Sequence, residues 1–121
     1  MRPEIKTQDA AIEYATDERC HILEVANDTG DESVSIARAR VEPGITTAWH
    51  RLDGISERYL IVSGRGRVEI GELEAVDVAP GDVVRIPPGC RQRISNSGRQ
   101  DLVFYAICAP RFRQQAYIGL E

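Results

Sequence analysis

The chain has 121 residues, of which 42% are hydrophobic and 28% charged, so we expect one domain over residues 1–121 rather than two. A formal charge of −4 argues against a nucleic-acid partner, because such proteins usually carry a basic balance or a basic face. No apolar run approaches the roughly 20 residues that span a bilayer, and no signal-peptide pattern opens the sequence. The composition therefore predicts a cytoplasmic protein with neither a membrane nor a nucleic-acid partner.

Strand patterns dominate the sequence. Short β-branched and aromatic runs are separated by turn residues at intervals of roughly 8–12 residues, which is typical of an all-β sandwich or barrel. The predicted strands cover residues 20–25, 33–41, 45–50, 56–63, 67–70, 74–78, 83–86, 91–95 and 102–108. The one helical candidate is a short turn over residues 10–14, capped by Asp9.

Alternation within the second strand separates small from large side chains. Ser35, Ala37, Ala39 and Val41 share one face, and residues of this size fit the inside of a tapering barrel. The three cysteines, Cys20, Cys90 and Cys108, are odd in number and form no C-x-x-C pair. They are therefore expected to be free thiols rather than a disulfide framework or zinc ribbon.

Two spaced motifs carry a family resemblance. The segment 44–64 has a Gly, five residues, His50, one residue, Leu52, four residues, Glu57, six residues and a Gly. The segment 81–96 has a Gly, five residues, Pro-x-Gly, two residues, Gln92, three residues and an Asn. In this order and spacing the segments resemble the first and second motifs of the cupin superfamily, and with their flanking strands they cover about residues 20–110.

The resemblance implies a double-stranded β-helix, or jelly-roll, barrel that commonly forms homodimers. In cupins, two His and one Glu of the first motif and one His of the second hold a divalent metal. His50 and Glu57 occupy the first and third ligand positions here, whereas Leu52 and Gln92 replace the other two. The resemblance therefore assigns His50, Glu57 and Gln92 to one divalent ion (Zn, Ni, Mn or Fe), although a neutral amide is a weak ligand and Leu52 is none.

Strand alternation predicts which side chains share the cavity. The predicted cavity is lined mostly by apolar side chains with a few polar ones, and such a cavity suits a small polar or aromatic ligand. A charged Glu57 there needs a partner, for which His50 is the nearest candidate by the motif geometry. The predicted pocket consists of His50, Glu57, Gln92, Tyr59 and Thr46 with Leu52, Ile61 and Ile94.

Three functions stay open at this point. The first is a metal-dependent enzyme of small-molecule metabolism, of isomerase, lyase or dioxygenase type, which the retained His50 and Glu57 favour. The second is a metal-free ligand-binding or sensor module. The third is metal-free acid–base catalysis by His50 and Glu57, with Tyr59 donating a hydrogen bond; Leu52 favours the second and third.

Several residues are predicted to lie outside this pocket. Trp49 is expected on an outer face beside Ile45 and Thr47, where it could anchor a homodimer. Arg91 and Arg93 flank Gln92 and are expected to point outward too. His21, on the first strand, is expected to be an ordinary satisfied histidine, with a replacement metal ligand as the alternative.

Overall fold

Two antiparallel sheets make up the computed structural model, which describes residues 1–9 and 12–121. The sheets have the strand orders β1-β2-β3-β10-β5-β8 and β11-β4-β9-β6-β7. Their strands are β1 Tyr14–Ala15, β2 His21–Ala26, β3 Ser35–Val41, β4 His50–Leu52, β5 Ser56–Ser63, β6 Gly66–Ile70, β7 Val76–Val78, β8 Val83–Ile86, β9 Gln92–Asn96, β10 Leu102–Ala109 and β11 Tyr117–Gly119. This confirms the predicted all-β, double-stranded β-helix architecture.

Apolar residues of both sheets form the main core, with Val41, Ile61, Ile94 and Leu102 almost completely buried. The small residues of β3 lie inward as the alternation predicted, since Ser35, Ala39 and Val41 are buried. No helix in the described part of the chain is long and apolar enough to cross a membrane.

The segment between Gly44 and His50 departs from the predicted strand 45–50. Thr46 forms only an isolated bridge with Ser95, and regular pairing begins at His50. The Thr47 hydroxyl accepts a hydrogen bond from the Ile94 backbone N–H and so replaces a ladder carbonyl. The Ala48 N–H turns away to the Glu18 carbonyl.

This irregularity exchanges the inward and outward directions of the side chains that precede His50. Thr47 is buried, whereas Thr46 is half-buried and shares a 2.8 Å hydrogen bond with the Ser95 hydroxyl. The predictions that Thr46 lines the pocket and that Thr47 faces outward are therefore wrong. Strict alternation fails here because Thr47 pairs with Ile94 through its backbone N–H and its side-chain hydroxyl, so the hydroxyl takes the place of the Thr47 carbonyl in the ladder.

The short strands at the chain ends had no sequence signal. β1 and β11 contain only two and three residues, too few to show alternation. Of the helical candidate over residues 10–14, Ala10 and Ala11 lie outside the described residues, and Tyr14 belongs to β1 rather than to a helix.

Trp49 does lie on the side of the sheet opposite His50, but its ring is partly covered. The guanidinium carbons of Arg91 and Arg93 lie 4.8 and 4.4 Å from the Trp49 ring centroid, within the range of cation–π contact. The ring is half-buried within the single chain. A homodimer formed through this face stays a prediction.

Asn96, the last residue of the second motif, holds two loops to the end of β9. Its buried side-chain amide donates to the Val41 and Gln100 carbonyls at 2.8 and 2.7 Å, and its Oδ1 accepts from the Gly98 N–H at 2.9 Å. The Val41 carbonyl is buried, and the pairing of all three backbone groups with one side chain fixes the β9–β10 connection.

We predict that Asn96→Ala destabilises the protein by about 3 kcal/mol, since three hydrogen bonds are lost and the buried Val41 carbonyl loses a donor. Urea unfolding followed by tryptophan fluorescence measures the change. Ser97→Ala, at the exposed neighbouring residue, is the control and should change the free energy of unfolding by less than about 0.5 kcal/mol. Equal stability of the two variants would contradict this account of Asn96.

Candidate active site

A cavity of about 400 Å³ opens between the inner face of the six-stranded sheet and the segments that enclose it. A smaller space of about 50 Å³ adjoins it on the core side and shares Glu18, Ile22, His50, Glu57 and Ala106 with the larger one. The combined volume is in the range found for small-molecule sites.

Side-chain size along two neighbouring strands explains why the barrel is hollow here. On β3 the inward residues run from Val41 through Ala39 and Ala37 to Ser35. On β10, which pairs with β3, Leu102 and Phe104 give way to Ala106 and Cys108. Large residues therefore fill one end of the barrel, and small ones leave a floor for the cavity at the other.

Glu57 lies at this open end, on β5. It is only 8% exposed, and its Oε1 has no hydrogen-bond partner among the described residues. Its Oε2 lies 3.7 Å from the Cys108 thiol, which burial keeps protonated by raising the pKa of that thiol. Burial also raises the pKa of Glu57 to about 7; the charge of Glu18 adds to this rise, and the neighbouring Gln92 amide and Cys108 thiol partly offset it.

His50 lines the same cavity from β4, in the facing sheet. Its Nδ1 lies 3.0 Å from the Ala48 carbonyl, so it carries the proton in the neutral ring and leaves the Nε2 lone pair free. The ring stacks on Tyr117 of β11 at 4.9 Å between centroids. The acid nearest to His50 is Glu18, with Oε2 at 3.7 Å from Nδ1, so the expectation that His50 partners Glu57 is wrong.

Tyr59 and Gln92 lie deeper than the other predicted site residues. The Tyr59 hydroxyl donates a hydrogen bond to Gln92 Oε1, and both side chains are buried. Burial raises the pKa of Tyr59 well above its ordinary value, which keeps the hydroxyl a donor. Tyr59 lines only the small inner space, and Gln92 is on the wall of neither space in the part of the chain described.

The donor set does not fit a divalent metal. Leu52 is buried and apolar at the second ligand position, and Gln92 Oε1, its only ligating atom, is engaged by Tyr59. Over residues 1–9 and 12–121, no group of three or more His, Cys, Asp or Glu side chains is arranged to hold a metal ion. Metal binding by His50, Glu57 and Gln92 stays a sequence-based prediction, and the geometry gives it no support.

The remaining histidine lies away from the cavity. His21 Nε2 is 3.9 Å from Glu42 Oε2, and its side chain is 27% exposed. It is not on the cavity wall and does not replace a missing ligand. The ordinary role expected for it fits this position.

Sequence reasoning missed most polar and aromatic residues of the wall, among them Glu18, Glu24 and Tyr117. Glu24 lies two residues after Ile22 in a predicted strand, so alternation puts both side chains on the same face. Glu18 and Tyr117 approach the site only through the path of the chain ends, for which no local pattern exists.

Comparison with known proteins agrees with this architecture. The family model for the cupin domain matches residues 37–108, more than half of the chain. The chain belongs to the cupin family. No curated protein sequence matches this cupin.

Solved structures resemble this cupin in fold. Streptomyces Pac13, described as a nucleoside dehydratase, aligns with a TM-score of 0.79 and 21% identity over 99% of this chain and 92% of its own. KdgF from Halomonas sp. aligns with a TM-score of 0.78 and 16% identity, covering 90% and 96% of the two chains. A Klebsiella pneumoniae protein with a double-stranded β-helix domain aligns with a TM-score of 0.75 and 18% identity, covering 89% and 90%.

We predict that Glu57→Gln stabilises this cupin at pH 8 but not at pH 5. The folded-state pKa of Glu57 is about 7, above the ordinary 4.5, so its contribution is fully present below pH 4.5 and is lost as pH rises through 7. Gln mimics the protonated acid, and the gain at pH 8 should be on the order of 3 kcal/mol. Urea unfolding at both pH values measures it.

The exposed Glu74 supplies the control for this measurement. Glu74→Gln removes the same charge on the surface and should leave the pH dependence of unfolding as in the wild type. If Glu57→Gln and wild type show parallel stability at pH 5 and pH 8, the carboxyl is not buried as described.

We predict that Leu52→His raises the affinity for Zn²⁺ or Ni²⁺ at least tenfold, because it adds a second imidazole on the face of β4 that carries His50. Stability should fall by about 1–2 kcal/mol, since a polar ring replaces a buried apolar contact. Calorimetric titration is the measurement, with Leu52→Asn as the control that is polar but lacks imidazole. Equally tight binding by wild type would show that the present residues already hold the metal.

Proposed function

We propose that this cupin is an enzyme that catalyses proton transfer on a small hydroxylated carbonyl compound, as a lyase or isomerase, with His50 as base and Glu57 as acid. The observation that carries the proposal is the buried Glu57 carboxyl, which has an unpartnered oxygen on the wall of the cavity that His50 also lines. The metal-dependent alternative is not proposed, because the donor set does not fit it.

The electrostatics of the site support acid–base work. Glu57, with its pKa near 7, can be protonated at neutral pH and still give up its proton readily, which is the condition for efficient general acid catalysis. His50 has Nδ1 committed to the Ala48 carbonyl, so Nε2 is the free base of the ring. Tyr117, stacked on the ring, restricts its orientation.

For a dehydration the proton balance closes within these two residues and solvent. His50 Nε2 takes a proton from the carbon next to the carbonyl, and the electron pair of that C–H bond forms the new C=C bond. The C–O bond to the neighbouring carbon breaks, and Glu57 protonates the departing hydroxyl, which leaves as water. His50 then returns its proton to solvent, and Glu57 takes one up.

The structural relatives are consistent with a small-molecule lyase. Pac13 is described as a nucleoside dehydratase, and a Streptomyces PAC13 variant has been solved with uridine. At 21% identity the likeness concerns the fold, so the dehydration chemistry proposed here rests on the residues of this cavity.

The test follows proton NMR spectra in D₂O with a panel of aldoses, ketoses and nucleosides. We expect wild type to exchange the hydrogen next to a carbonyl for deuterium or to release water from at least one compound. His50→Gln and Glu57→Gln should each lower that rate about 100-fold or more. The rate should also fall as pH rises through 7, because the acid form of Glu57 is lost.

His21→Gln is the matched control, because it makes the same chemical change at a histidine outside the cavity, and its rate should equal that of wild type. Unchanged rates in the His50 and Glu57 variants would overturn the proposal. So would activity that a chelator abolishes and a divalent metal restores. Binding of a panel compound with no exchange or water loss would favour the ligand-binding module.

A further inference from the structure

The wall of the larger cavity is acidic beyond what proton transfer needs. Four carboxylic side chains, Asp17, Glu18, Glu24 and Glu57, line it. The wall residues identified in the described chain include no Lys or Arg, so His50 is the one basic side chain among them.

Arginines on the outward face of β3 are engaged with acids outside the cavity. Arg40 forms a 2.8 Å ion pair with Glu13 and a 3.2 Å pair with Asp101, and Arg38 lies 3.4 Å from Glu13. These pairs involve the outward face of β3, because Arg38 and Arg40 alternate with the inward residues. Among the described residues, no ion pair joins any of the four wall acids to a lysine or arginine, and the only ion-pair partner of Glu18 is His50.

Two carboxyl oxygens of the wall are buried and have no hydrogen-bond partner among the described residues, although the Gln92 amide and the Asn27 side chain lie near the two carboxyl groups. The two oxygens are Glu57 Oε1 and Glu24 Oε2, and the Glu57 side chain is more than nine-tenths buried. Burial raises the pKa of Glu24 as it does that of Glu57, while the Asn27 side chain lowers it. A buried acceptor without a donor is costly, so a ligand that brings donors to both positions is favoured at this site.

The register of the sheet places these two acids on either side of the small-residue floor. Glu24 is on β2 and Glu57 on β5, with β3 and β10 between them. Three strand spacings correspond to about 14 Å between the main chains, and the side chains reach inward from both edges. The floor between them holds Ala37 and Ala106, which are paired across the two strands.

Aromatic side chains complete the acidic end of the cavity. Tyr14, Phe112 and Tyr117 lie on the wall together with Glu18 and Glu24. Aromatic faces attract organic cations through their quadrupole, and carboxylates form strong hydrogen bonds with ammonium groups. The acidic and the aromatic side chains of this wall therefore both favour a positively charged ligand.

We propose that the ligand of this cavity is a small hydroxylated amine, whose ammonium group lies against Glu24 and Glu18 while a hydroxyl reaches Glu57 Oε1. This inference deepens the proposed function, on which it rests for the role of Glu57, by naming the substrate class: a hydroxy carbonyl compound that carries an amino group. Anionic substrates such as uronates are disfavoured, since all four acids face them.

Two matched probe sets test the charge preference at pH 6.5. One is glucosamine, glucose and glucuronate, and the other is 4-amino-1-butanol, 1,4-butanediol and 4-hydroxybutyrate. Within each set the skeleton is kept and the charge goes from positive through neutral to negative. Saturation-transfer NMR titration gives the affinities, and we expect the cation to bind at least tenfold more tightly than either counterpart in at least one set.

Variants locate the preference on the wall. Glu24→Gln should lower the affinity for the cationic probe at least tenfold and leave the affinity for the neutral probe unchanged. The ratio of these two affinities, measured on one variant, controls for misfolding, because a folding defect would weaken the binding of both probes. Glu74→Gln removes an equal charge from an exposed turn and should leave the ratio as in wild type. A ratio that Glu24→Gln leaves unchanged would overturn the assignment of the ammonium position.

The inference is overturned if neither cation binds more tightly than its neutral and anionic counterparts, which includes the case in which no probe binds. Proton exchange in D₂O without a cation preference removes this inference and leaves the proposed function standing. A cation preference that depends on Glu24, without proton exchange on any compound, removes the proposed function and leaves the amine site.

Discussion

The burial of the Glu57 carboxyl with one oxygen unpartnered is the constraint on which the site depends. A charged carboxylate in such a position is unfavourable, so the group holds its proton up to a pH near 7. The main core stabilises the fold that holds it, with residues such as Ile61 two positions further along the inward face of β5. This cupin thus keeps a destabilising group where a ligand can reach it, as active sites commonly do.

One barrel provides both the core and the cavity because its inward side chains change in size along the strands. β3 and β10 run antiparallel, yet both carry their large inward residues at the same end, with Val41 opposite Leu102 and Ser35 opposite Cys108. The large end packs against the facing sheet, and the small end remains open. The cavity is therefore built into the strands themselves rather than added by long loops.

The chain ends complete the site from outside the two motifs. Tyr117 of β11 stacks on His50, and β11 pairs with β4, the strand that carries His50. Glu121 accepts a hydrogen bond from the Trp49 N–H and pairs with Arg19, which ties the last residue to the segment before β2. These contacts position His50, the proposed base, and they explain how short terminal strands can matter to a site in the barrel interior.

The sequence by itself determined the all-β fold, most strand positions and the placement of His50 and Glu57 on the cavity, because period-two alternation and motif spacing are local properties of the chain. It could not determine that Thr47 replaces Thr46 inside, since a hydroxyl bond to Ile94 breaks the alternation. Nor could it place Glu18 beside His50, or engage Gln92 with Tyr59, because residues far apart in the chain make those contacts. Only the tertiary structure brings the acidic residues together on one wall and gives each polar atom its partner. These two features determine which ligands the cavity can bind.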